Sequence, residues 1–174
     1  MNLKTIIPII VLIVIAGIII AGIIEWNTYE IQWRESGPFQ IEKYEYYLGE
    51  KIFLYVNNIP LDVSGKVIFF RPMSDEMNKY PKELEGVPAE LIAKKIQYME
   101  IKFDGENKQN FNKFFEPRMN EWKSICSTND LVGEWVIVFS GTQYEPMNFT
   151  ILNQTMPGDP RLFESMVGTA NQQC

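Results

Sequence analysis

The side chains that could do chemistry in this chain are few, and one type is absent. There is no histidine among its 174 residues. Without imidazole there is no His-based acid–base catalysis, no Ser-His-Asp or Cys-His nucleophile, and no blue-copper or His-zinc site. Carboxylates remain. Asp104, Glu106 and Asn107 surround Gly105 in an oxygen-rich turn, but the alternate-residue spacing of a calcium loop is missing. The stretch reads as a solvated hairpin turn. Asp159, between Gly158 and Pro160, is a turn former. Glu116 and Glu121 flank Pro117, and a pair of acids there could do general acid–base work, yet nothing in the sequence positions them. The expectation is no catalytic residue, no metal site and no cofactor.

Two cysteines, Cys126 and Cys174, are most simply one disulfide if the domain lies outside the membrane. Such a bridge would pin the C-terminal tail to the domain and contribute up to roughly 4 kcal/mol in the chain-entropy picture. Two free thiols, or an intermolecular bridge through Cys174, are the competing readings. Asn148-Phe-Thr150 and Asn153-Gln-Thr155 are N-x-T sequons, acceptors for glycosylation on an exported domain. Aromatic residues cluster twice, at Tyr44, Tyr46 and Tyr47 and at Phe114, Phe115 and Trp122. Aromatics with a polar surround anchor protein interfaces and sugar-binding faces; the competing reading is core packing. Phe114, Phe115 and Trp122 are the expected binding-surface residues.

The element that decides where these side chains live is the uncharged run from Ile6 to Ile24. At about 1.5 Å per residue it spans roughly 28 Å, close to the hydrocarbon core of a bilayer. It is longer than a signal-peptide core and its small residues lie inside the run, so an uncleaved signal anchor is expected in preference to a cleaved signal. Lys4 precedes the run while Glu25 and Glu30 follow it, which places the N terminus in the cytoplasm and the rest outside. Trp26, Tyr29 and Trp33 suit either the outer membrane–water interface or packing on the domain. The expected division is a cytoplasmic tip at 1–5, a transmembrane helix at 6–24, a juxtamembrane segment at 25–36, a domain at 37–155 and a tail at 156–174. The chain's net charge is −6, and removing the +1 of Lys4 leaves −7 on everything after the run. With no Lys/Arg cluster in sequence, such a domain is a poor partner for nucleic acid or anionic lipid.

Past the anchor, short alternating segments punctuated by turns predict strands at 39–42, 51–56, 66–70, 96–103, 134–139 and 147–152. In the fourth, Met99, Ile101 and Phe103 share one face and Tyr98, Glu100 and Lys102 the other. The segment 134–139 is apolar on both faces, with Trp135, Ile137 and Phe139 opposite Val136 and Val138, as expected of a central strand. Residues 140–146 predict a hairpin connection. Helix is expected only as about two turns over 88–95, with Pro88 at the first position. Residues 73–87 read as a loop, and 107–129 as a long aromatic-rich loop folded over the domain. Six or seven such strands make an antiparallel β-sandwich the leading architecture.

The pattern Gly133-x-Trp135-x-Ile137-x-Phe139, followed by a hairpin to Asn148-Phe-Thr-Ile151, resembles the last two strands of immunoglobulin-like domains. The stretch from Cys126 to Tyr144 is also similar to the ectodomains of uncharacterised single-pass archaeal membrane proteins. The resemblance covers roughly residues 115–152. It implies an immunoglobulin-like β-sandwich and an extracytoplasmic location, and it carries no activity. The inter-sheet bridge of antibody domains is absent, because no cysteine precedes Cys126. The functional expectation is a non-catalytic, membrane-anchored binding module of the cell envelope, in contact with lipid through 6–24 and with another envelope or membrane protein, and not with nucleic acid. The alternatives are a structural accessory subunit that docks through its helix and, more weakly, a carboxylate-based hydrolase.

Overall fold

A computed structural model of the chain describes residues 31, 33–73, 88–119 and 125–155. The chain divides into two units, Met1–Ile31 and Gln32–Cys174. The apolar run at 6–24, the expected loop at 74–87 and the tail at 156–174 lie outside the described residues. Among the described residues no helix is long and apolar enough to cross a membrane.

Within the second unit the chain runs β1 (Arg34–Ser36), β2 (Phe39–Ile41), β3 (Glu45–Leu48), β4 (Ile52–Val56), β5 (Ser64–Pro72), α1 (Ala89–Ile92), β6 (Lys95–Asp104), β7 (Phe111–Phe115), β8 (Gly133–Ser140) and β9 (Met147–Thr155). One sheet has the order β1-β2-β4-β7 and the other β3-β9-β8-β5-β6. All pairings are antiparallel except β3 with β9, which is parallel. The protein is therefore mainly β, two sheets enclosing one core.

The core follows from period-two alternation. Phe39, Ile41, Ile52, Leu54 and Val56 project from the first sheet onto Val67, Phe69, Trp135, Ile137, Phe139 and Phe149 of the second, all essentially without solvent exposure. Phe39 stacks on Phe139 at 4.3 Å between ring centroids. Trp135 is fully buried, and its indole Nε1 donates to the Leu131 carbonyl at 2.8 Å, which satisfies the one polar group the ring brings inside. β8 is central, between β9 and β5, as its two apolar faces predict. Val136 and Val138 form a second buried cluster with Ile68, Phe70 and Ile92, so α1 covers part of that sheet's outer face.

Four features depart from the sequence reading. The expected helix closes after one turn, Ala89–Ile92, and Lys94 takes a left-handed φ of 57°. The loop expected at 107–129 contains a strand, β7. The turn after Asp104 is not a hairpin turn, because β6 and β7 belong to different sheets and the connection crosses between them. Gly105 permits that crossing: a Cβ there would sit 1.9 Å from the Pro60 carbonyl oxygen. Finally, Tyr98 does not face away from the core. The β5–β6 register slips between Phe69↔Met99 and Phe70↔Gln97, and the bulge turns the Tyr98 ring onto Trp135 at 5.0 Å.

Candidate functional site

β4 alternates fully buried Ile52, Leu54 and Val56 with half-buried Phe53 and Tyr55, which puts both rings on the outer face of the four-stranded sheet. In the β4–β7 register Phe53 lies opposite Phe114. Just before β1, Trp33 lays its ring edge-on to Tyr55. The four rings form a continuous strip, with centroids 5.3 Å apart from Trp33 to Tyr55, 6.2 Å from Tyr55 to Phe53 and 5.8 Å from Phe53 to Phe114. Its two ends are the open ones: Trp33 is 41% exposed and Phe114 60%.

Polar groups hold the strip in place. The Tyr55 hydroxyl donates to Glu42 Oε1 at 2.6 Å. That hydrogen bond, with burial and the Glu42 charge, raises the hydroxyl pKa, so the ring stays neutral and fixed. Lys51 Nζ lies 5.5 Å over the Phe114 ring and 3.3 Å from Glu116. Burial pushes the Glu116 carboxyl up, but Arg118 and Lys51 outweigh it and hold the pKa below the usual range. The strip offers ring faces, an edge-held hydroxyl and one ammonium. Those groups suit stacking and apolar contact.

Of the residues expected to form a binding surface, Phe114 lies in the strip. Phe115 does not: the alternation of β7 turns it inward, 4.6 Å from Phe69 and 6.2 Å from Trp135, with 9% exposure. Trp122 lies outside the described residues. Phe53 and Tyr55 were legible as the outward positions of the 51–56 segment and were missed because only its strand character was read. Of the three residues that suited membrane or domain, Trp33 packs on Tyr55, and Trp26 and Tyr29 lie outside the described residues. The tyrosine cluster disperses: Tyr46 is buried, whereas Tyr44 is exposed beneath the Arg34 guanidinium at 4.8 Å.

Asn148 faces outward, and its side-chain Nδ2 donates to Glu134 Oε1 at 2.7 Å; Asn153 is exposed near the end of β9. Among the described residues no cysteine is free and Cys126 is disulfide-bonded; Cys174 lies outside them. No group of three or more potential metal ligands occurs among the described residues.

The sequence has no Lys/Arg cluster, yet the fold brings four lysines to one groove. Lys66 from β5, Lys102 from β6, Lys108 from the β6–β7 connection and Lys113 from β7 line one open groove of about 720 Å³. They are spread over 48 sequence positions, so no local run announces them; the crossing between sheets gathers them. Asp104 is the one carboxylate among the lining residues.

Taken together, fold and surface define a β-sandwich that displays an aromatic strip on one sheet and a basic groove at one side. No family model matches the chain, and no curated protein matches it. Among solved structures it is similar to a β-glucosidase from Listeria innocua, crystallised in complex with gluconolactone, at 14% identity and a TM-score of 0.35. The match covers 73% of this chain and 16% of that one, a likeness too slight to bear on function.

Proposed function

We propose that the chain is a membrane-anchored, extracytoplasmic binding module of the cell envelope, non-catalytic, which recognises a protein or surface polymer through the strip Trp33–Tyr55–Phe53–Phe114. The carrying observation is that four rings in contact, two of them substantially open, occupy the outward face of a sheet whose inward face already fills the core. Aromatic rings on a pre-formed rigid sheet lose little conformational freedom on binding, and they are the side chains that most often dominate binding energy. The uncharged run at 6–24 supports the tether, and Lys4 before it supports the outward orientation of the domain.

The immunoglobulin-like assignment rests on topology. The chain passes from the first sheet to β3 of the second and returns through β4, and the central β8 pairs both with its hairpin partner β9 and with the earlier β5. A bridge from Cys126 to Cys174 anchors the tail. Asn153 is the preferred glycan acceptor, since the Asn148 amide is engaged by Glu134. The hydrolase alternative draws no support from the groove, whose lining supplies a single carboxylate.

The test is co-purification of the full chain in mild detergent, comparing wild type with the W33A/F114A double variant. Both positions are exposed, so the thermal midpoint should hold. Loss of specific partners from the double variant is expected. Retention of every partner by the double variant, with loss only when 6–24 is replaced by an unrelated membrane span, would assign the function to the helix and to the accessory-subunit reading.

A further inference from the structure

The groove shares β7 with the aromatic strip but is lined by other residues, and it carries a second inference. Four lysines line it in a unit whose overall charge is negative. Lys66 stands directly across from Lys102 in the β5–β6 register, and like charges facing each other across a sheet destabilise it. Glu100 answers Lys66 at 3.1 Å. Lys102, Lys108 and Lys113 make no ion pair among the described residues. Asp104 forms no ion pair with them, and its two oxygens accept from the Glu106 backbone N–H and from Asn107 Nδ2. The groove floor is apolar, formed by Ile101, Phe103 and Phe111.

The groove also lies beside two sheet edges. β6 pairs only with β5 and β7 only with β4 among the described residues, so each presents a row of main-chain donors and acceptors on its other side. Lysine on an edge discourages neutral or basic strands from pairing there. An acidic strand meets the opposite situation: main-chain hydrogen bonds to the edge, carboxylates to the lysines, and intervening apolar side chains onto the floor. We propose that the groove lined by Lys66, Lys102, Lys108 and Lys113 is a docking site for an extended acidic polypeptide segment of a partner protein. Its free strand edges favour a peptide over a glycan, which has no main-chain amides to pair with them.

The experiment is fluorescence anisotropy with the full chain in non-ionic detergent and a labelled, capped peptide of alternating Glu and Val. Saturable binding is expected that weakens as salt rises from about 0.05 to 0.3 M, with no binding of the matching Lys and Val peptide. K102E/K113E should weaken binding by about tenfold or more, while W33A, outside both edge strands, should leave it unchanged, which separates this site from the strip. K108E, in the connection outside both strands, repeats the test should the double variant lower the thermal midpoint. Non-saturable binding, or equal affinity in the wild type and the groove variants, would overturn the proposal. So would displacement of the peptide by oligogalacturonate at equal charge concentration, which would assign the groove to an acidic glycan.

Discussion

Arg71 is the side chain that a strand pattern conceals best. It sits in β5 with 1% exposure, and its guanidinium donates to the carbonyls of Pro72 and Asp130 at 3.2 Å each. Burial lowers its pKa, and the Asp130 charge works against that drop. Asp130 Oδ2 in turn accepts from the backbone N–H groups of Cys126 and Ser127 at 2.9 Å and from Ser127 Oγ at 3.2 Å. D130A keeps the carbonyl that Arg71 reaches but removes the carboxylate that accepts from the Cys126 and Ser127 N–H groups, so it should cost about 1–3 kcal/mol in denaturant unfolding. Glu116 gives a pH-dependent counterpart. Its folded pKa is depressed, so it adds stability above the ordinary carboxylate pKa, and that stability is lost as pH falls through the folded value. The thermal midpoint should therefore fall between about pH 5 and 3, and E116Q should flatten that slope. At this scale the sequence told much about Trp135, whose apolar neighbours at alternate positions mark it as core. It could not separate Phe114 from Phe115, because one ring points out and the next points in only once 111–115 is known to be a strand.

Elements with long alternation were legible and short ones were not. β5, β6, β8 and β9 each run eight residues or more, enough for period two to stand out. β1, β2 and β3 have three to four residues each and β4 and β7 five; of these only β2 and β4 are legible, because Gly37-Pro38 announces the one and Asn57-Asn58 closes the other. The pairing of β3 with β9, and the placement of β6 and β7 in different sheets, are choices of tertiary partner that no local pattern encodes. The β6 bulge is similar: it is defined against β5, so strict alternation assigned Tyr98 to the wrong face. The crossing from β6 to β7 depends on Gly105 lying against Pro60. G105A should lower stability by about 1–3 kcal/mol through forced displacement of that backbone. An unchanged denaturation midpoint would mean the connection has slack that the close approach does not show.

For the whole molecule, the mainly β sandwich was readable from strand count and spacing, and the two surfaces were not. The aromatic strip needs the β4–β7 register to bring Phe53 to Phe114, and the groove needs two sheet edges brought together across the sandwich. The strip is the central claim, since the core is complete without it and its ends stay open. Site-specific photo-crosslinking in intact cells tests it most directly, with benzoylphenylalanine at position 114 and, as control, at Gln143, which is exposed in the β8–β9 connection. A discrete adduct from position 114 and none from 143 is the expected result. No adduct from 114, or the same adducts from both positions, would contradict a binding role for the aromatic face.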